Sequence, residues 1–182
     1  MTTGHVFIAC SLDGFIARPD GDLDWLMQVD TDGEGHGYDD LIASVDGLIM
    51  GRGTFEKVLS FEPWPYHKPV VVMSESRQPS DVPEALAGQV EICDLSPSAA
   101  MEKVRRAGWK RAYIDGGQLI QSFLAARLIE DMIITRVPVL IGQGLPLFGE
   151  VIADVQLEHL GTKAFASGLV QSHYRIVQED SL

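Results

Sequence analysis

Met50-Gly51-Arg52-Gly53-Thr54-Phe55-Glu56 and Tyr113-Ile114-Asp115-Gly116-Gly117-Gln118-Leu119 share one pattern: a strand, a glycine turn, then a helix. The runs leading into them, residues 47–50 and 111–114, read as buried strands. In open α/β sheets, ligands bind at the carboxyl ends of strands, where helix N-termini point. Glycines let backbone N–H groups approach an anion closely, and the helix dipole favours negative charge there. Arg52 adds a planar fork suited to phosphate. Thr54 adds a hydroxyl at the expected N-cap of a helix over residues 54–60. Together the turns predict two contact points for one ligand with several phosphates. Neither is a Rossmann fingerprint. Gly51-Arg52-Gly53 would need glycine at position 56, which is Glu56, and Gly142-Gln143-Gly144 leads into Pro146 and Leu147 rather than a helix.

Working outward, further buried strands are expected at residues 6–10, 69–73, 90–93 and 132–137. Helices are expected over 39–45, from the Ser96-Pro97 start to Ala107 with Gly108 as the stop, and over 118–127, where Leu119, Ile120, Phe123, Leu124 and Leu128 recur at helical spacing. Residues 156–165 and 169–177 read as two long strands joined in a hairpin at Ala166-Ser167-Gly168. Strands alternating with helices imply a mostly parallel sheet, and the hairpin adds antiparallel strands at one edge. Residues 13–38 are rich in Gly and Asp without a stable period; so long a loop is usually functional or mobile.

The chain has 182 residues, which suits one domain spanning 1–182. Its net charge is −12, and the densest basic group, Arg105, Arg106, Lys110 and Arg111, reads as a solvated helix end. Nucleic acid and anionic membrane surfaces are therefore not expected partners. Cys10 and Cys93 lie in apolar runs and are expected to be buried free thiols. No signal peptide and no membrane span is read, so the expected location is the cytoplasm. No metal site is expected: Asp30, Asp32, Glu34 and Gly35 resemble the start of a calcium loop, but its twelfth position is Leu41. The histidines show no zinc spacing, and His36 and His67 read as surface residues. There is no GxSxG elbow.

Taken in order, Ser11-Leu12-Asp13-Gly14-Phe15-Ile16-Ala17, the Gly51-Arg52 turn, Val71-Val72-Met73-Ser74, Asp115-Gly116-Gly117, Leu128-Ile129-Glu130-Asp131 and Pro138-Val139-Leu140-Ile141-Gly142-Gln143-Gly144 with Pro146-Leu147-Phe148 resemble the dihydrofolate reductase superfamily. The nearer resemblance is to the branch containing the reductase domain of the bifunctional riboflavin-biosynthesis deaminase-reductase. It covers nearly the whole chain, and the deaminase half has no counterpart.

This resemblance implies a three-layer α/β fold and an NADPH-dependent reductase acting on a small, pteridine-like or ribosylaminopyrimidine-like heterocycle. It implies phosphate contacts from Gly51, Arg52 and Thr54, and a place near the 2′-phosphate or adenosine for Ser74, Ser76 and Arg77. Gly116 and Gly117, with Gln118 and Leu119 opening the helix, would face the pyrophosphate. Ala9 and Ile16 would lie beside the nicotinamide, and Thr135 near the substrate. Ser11 and Asp13 match a substrate-contacting loop. The acid carboxylate stays open between Asp13, Asp24, Asp22, Asp39 and none. Trp25 is a candidate stacking wall for a planar ring or a plain hydrophobic lid. A loop over residues 13–38 would close on the nicotinamide. The rival expectation is a domain that binds NADP(H) or a flavin without turnover and acts as a homodimer through its C-terminal hairpin edge.

Overall fold

The structure is a computed structural model that describes residues 1–150 and 153–177. The expected domain of 1–182 also includes 151, 152 and 178–182, which lie outside the described residues. In chain order the elements are β1 (Thr3–Ser11), β2 (Phe15–Ala17), α1 (Asp24–Met27), α2 (Tyr38–Ser44), β3 (Gly47–Gly51), α3 (Arg52–Leu59), β4 (Val70–Met73) and β5 (Val90–Cys93). There follow α4 (Pro97–Arg106), β6 (Arg111–Asp115), α5 (Gly117–Ala125), β7 (Ile129–Val137), β8 (Leu145–Pro146), β9 (Leu157–Ala164) and β10 (Val170–Ile176).

Eight strands form one sheet in the order β5-β4-β3-β6-β1-β7-β10-β9. The first six are mutually parallel, and β10 runs antiparallel to both β7 and β9. This is the expected mixed, mostly parallel sheet with a C-terminal antiparallel hairpin. β2 and β8 pair separately as a small antiparallel ribbon.

Side chains alternate across the sheet, and the two faces bury separate cores. Ile49, Val71 and Ile114 pack against Met101 and Val104 of α4 and Ile120 and Phe123 of α5. Leu48, Met50, Val70, Val72 and Tyr113 pack on the other side against Leu41 of α2 and Phe55 and Val58 of α3. A small third cluster joins Trp25, Val137 and Leu169. It fastens the segment after β2 to the end of β7.

Gly47 shows how tightly β3 enters the sheet. A Cβ there would collide with the Trp109 ring and stand 2.7 Å from the Pro69 carbonyl oxygen. Gly47→Ala is expected to cost about 1–3 kcal/mol, the scale of core overpacking. Urea unfolding would read this as a lower midpoint at constant slope. An unchanged midpoint would mean that Trp109 moves aside without loss.

Several expectations need correction. Residues 13–38 are not one free loop. They carry β2 and α1, and Trp25 is 4% exposed within the third cluster. Glu34 accepts from the Ser167 N–H at 2.7 Å and its hydroxyl at 2.6 Å, and Gln171 donates to the His36 carbonyl at 3.0 Å. His36 is accordingly half-buried rather than a surface residue. Cys10 is buried, but Cys93, at the end of β5, is only half-buried; both are free. β1 begins before its apolar run, because His5 is fully buried with Nδ1 2.8 Å from Asp131.

Candidate functional site

The two glycine turns lie at the carboxyl ends of adjacent strands β3 and β6. Gly51, in extended conformation, is the N-cap of α3, and Gly116 is the N-cap of α5; neither has a side-chain cap. Their first-turn N–H groups therefore lack the usual side-chain acceptor, the condition under which a helix N-terminus binds an anion. Thr54 is not the N-cap, because α3 opens earlier, at Arg52. Its hydroxyl instead packs on the second turn, 2.7 Å from where a Cβ on Gly116 would stand. Gly116 has φ +108°, a conformation that only glycine adopts readily. Ile16 of β2 reaches within 2.7 Å of a Cβ built on Gly117. The structure thus brings Gly51, Thr54, Gly116, Gly117 and Ile16 together. Open space faces Gly51 and Gly53. Gln118 is exposed in the first turn of α5, whereas the Leu119 side chain is in the core and leaves its backbone N–H to face the turn.

Arg52, Ser74, Ser76 and Arg77 form the rim. Arg52 donates to the Ser76 hydroxyl at 3.0 Å, and Ser74 accepts from the backbone N–H groups of Ser76 at 3.3 Å and Arg77 at 3.0 Å. Arg77 is not a free cation. It donates to Glu56 at 2.7 Å and 3.1 Å, and that pairing holds its pKa up.

Ala9 pairs with Thr135 on β7, and Thr135 pairs with Gln171 on β10. Gln171 donates to the Thr135 hydroxyl at 3.0 Å. Residue parity from the His5–Tyr113 pairing puts Asp115 on this same face. Asp115 was absent from the sequence candidates as an acid. Burial raises its pKa to about 6, against a smaller opposing effect from the Gly116 N–H. The phenols of Tyr38, Tyr66 and Tyr113 lie near enough to feel its charge. Burial first, and then the Asp115 charge, pushes all three upward, so they stay protonated. The one sequence signal for Asp115 is its position, a carboxylate directly ahead of a glycine pair at a strand end.

The carboxylates singled out from sequence are engaged elsewhere. Asp13 accepts from the Ser11 hydroxyl at 2.6 Å and from the N–H groups of Gly142 at 2.8 Å and Ile141 at 3.2 Å. The Ser11 bond leads in holding its pKa below the usual carboxylate range. Asp13 therefore anchors the turn at Gly142. Ser11 is fully buried, and its oxygen also accepts from the Phe15 N–H at 3.0 Å. Asp24 takes a forked pair from Arg18 at 2.5 Å and 3.1 Å, which lowers its pKa. Asp22 accepts from the Leu23 N–H, and Asp39 is exposed on α2. Lowered pKa values suit ionised anchors and oppose the proton-donor role expected of Asp13 and Asp24.

Next to this face, α1, the end of β7 and the hairpin turn border an open cleft of about 770 Å³ lined by Trp25, Val137, Val139 and Ser167 among others. Trp25 borders this cleft and is 4% exposed. Its Nε1 has no hydrogen-bond partner. Along the sheet edge the candidates run in strand order: Ser74 after β4, Gly51 on β3, Gly116 after β6, Ala9 on β1, then Thr135 and the cleft at β7. No helix among the described residues is long and apolar enough to cross a membrane.

The RibD C-terminal domain family matches residues 64–171. The uncharacterized protein YwjB of Bacillus subtilis is 34% identical over 93% of this chain and 95% of its own length. A crystal structure described as a candidate riboflavin biosynthesis protein from Shewanella sp. PV-4 superposes with TM-score 0.90 at 38% identity, covering 97% of this chain and all of that one. At 14% identity and TM-score 0.74, the fold is also that of the diaminohydroxyphosphoribosylaminopyrimidine deaminase/5-amino-6-(5-phosphoribosylamino)uracil reductase of Thermotoga maritima, of which this chain spans 57%. The chain belongs to the RibD C-terminal domain family, within the dihydrofolate reductase superfamily that its ordered motifs resemble.

Proposed function

We propose that this protein is an NADPH-dependent reductase that delivers hydride to a small planar heterocycle of the pteridine or ribosylaminopyrimidine kind. The observation that carries this reading is the contact between two uncapped glycine turns at the carboxyl edge of a parallel sheet. The residues fit the cofactor. Gly51, Arg52 and Thr54 would hold phosphate oxygens, Gly116, Gly117 and the amides of Gln118 and Leu119 the pyrophosphate, and Ser74 and Ser76 the adenosine end. Arg77 would take part once its bond to Glu56 is exchanged. Ala9 and Ile16 would position the nicotinamide. When bound, the cofactor supplies the hydride.

The chain's own work is orientation and proton supply. Thr135, oriented by Gln171, would position the substrate. Asp115 holds its proton up to about pH 6 and faces the same side of the sheet, so it is the proton donor in this reading. Asp13 and Asp24 would keep the covering segment in place as ionised anchors.

Arg52→Ala is expected to weaken NADPH binding roughly ten- to a hundred-fold, the scale of a charged hydrogen bond. Fluorescence titration with NADPH measures it, and equal affinity in the two proteins would remove Arg52 from the site. The second reading, a nucleotide-binding homodimer without turnover, draws on one observation: Asp13 and Asp24 are both engaged in anchoring. Its interface would be the open edge of β9, whose residues are all exposed. NADPH binding without oxidation on any pterin, ribosylaminopyrimidine or simple carbonyl, together with a dimer in light scattering, would favour it.

A further inference from the structure

We propose that Glu34 and Gln171 are positioning residues. The short strap at residues 33–37, latched by Glu34 onto the hairpin turn, fixes which way the Gln171 amide points and so makes the Thr135 hydroxyl a proton donor. This deepens the reductase reading and rests on it for the substrate that Thr135 would face.

The strap alternates: Glu34 and His36 are half-buried, while Gly33, Gly35 and Gly37 are exposed. Gly33 at φ +74° and Gly37 at φ +81° stand in open space at its two ends, a backbone suited to hinging. Between these hinges, three contacts tie the strap down. Glu34 accepts the Ser167 N–H at 2.7 Å and its hydroxyl at 2.6 Å. The hydroxyl bond leads in holding the Glu34 carboxyl below the usual range, so at neutral pH the group is ionised and only accepts. Glu34 also stands 3.1 Å from His36 Nε2, and the His36 ring packs on Phe165 with centroids 4.5 Å apart. Finally, the His36 carbonyl accepts from Gln171 Nε2 at 3.0 Å.

That last bond sets a polarity. One end of a glutamine amide donates and the other accepts, and a half-turn about its terminal bond exchanges them. A backbone carbonyl only accepts, so the end of Gln171 that meets His36 is the NH2. The same nitrogen lies 3.0 Å from the Thr135 hydroxyl oxygen, so Thr135 accepts there. Its own proton has no acceptor among the described hydrogen bonds and is left for a ligand's ring nitrogen or carbonyl oxygen. Thr135 and Gln171 are cross-strand partners on β7 and β10, so they stay opposite each other whatever the strap does. With the strap released, nothing holds the amide's orientation. Gln171 can then present its oxygen and take the Thr135 proton. A latch at the hairpin turn thereby decides whether Thr135 offers a proton.

The test uses isotope-labelled full chain in NMR. In Glu34→Ala, the Gln171 side-chain NH2 signals are expected to move toward those of a free glutamine, and the His36 ring signals toward those of an exposed histidine. Ser167→Ala removes one of the two latch bonds and should move both part-way, which keeps the test valid if the Glu34 variant fails to fold. Kinetics give a second readout: NADPH oxidation with a dihydropterin and with a ribosylaminopyrimidine. Glu34→Ala and Thr135→Val should each lower kcat about ten-fold, the scale of one hydrogen bond made in the transition state. The double variant should be no slower than Thr135→Val alone, because the latch acts only through that hydroxyl. Thr135→Ser, which keeps the hydroxyl, should retain most of the activity and remain sensitive to Glu34→Ala. Gln171 signals unmoved in both latch variants, or losses that simply multiply in the double variant, overturn the proposal. Moved signals in a protein that oxidises no NADPH with either probe uphold the coupling and overturn the reductase reading alone.

Discussion

Asp115→Asn lowers turnover in NADPH oxidation by roughly 100-fold or more, the scale of a lost general acid, while NADPH affinity stays within a few-fold. The side chain stands directly ahead of the Gly116 turn, so the amide keeps its shape and removes only the transferable proton. In the wild type, a donor with pKa about 6 is spent as pH rises, so turnover falls as pH passes through about 6. The variant's residual turnover should be flat there. The same shift makes a stability statement with a definite sign. The folded pKa is raised above the ordinary carboxylate value, so the contribution of Asp115 is fully present below about 4 and lost as pH rises through about 6. Wild type should therefore lose stability relative to Asp115→Asn across that window, as read by thermal unfolding in matched buffers. Wild-type turnover in the variant, with the same pH profile, would place the proton source elsewhere.

Gly116→Ala should abolish measurable NADPH binding, because the substitution strikes both turns at once. The backbone at φ +108° strains any side chain, and the new Cβ would press on the Thr54 hydroxyl at 2.7 Å. Strain of this kind costs about 1–3 kcal/mol, so unfolding must be measured beside binding. A second variant separates the two causes. Adding Thr54→Ala relieves the collision and leaves the φ strain, so the double variant should recover stability in part and binding little. Full recovery of binding would mean that the collision alone mattered and that the Thr54 hydroxyl contributes nothing to the ligand.

The parts of the fold read correctly from sequence are those set by local pattern. Continuous β-branched runs such as Val70-Val71-Val72 can only be buried on both faces, and that requires a parallel sheet covered by helices. Ser96-Pro97 and Gly108 mark helix ends by backbone chemistry that needs no partner. The errors lie where a partner decides. Residues 13–38 look structureless because their anchors, Trp25 on Val137 and Glu34 on Ser167, are between 112 and 133 positions distant in the chain. Asp13 resembles a catalytic group because its acceptor role depends on the Gly142 amide, 129 residues away.

The two glycine turns divide in the same way. That two helices open directly from buried strands was legible in the apolar runs and the glycines that follow them, although only Gly116, at φ +108°, needs glycine for its backbone. That the turns touch, through Thr54 and Gly116, follows from the crossover that makes β3 and β6 neighbours although 59 residues separate their ends. The raised pKa of Asp115 is likewise a tertiary property. It arises from burial, and no pattern of neighbours along the chain encodes how much water a carboxylate keeps.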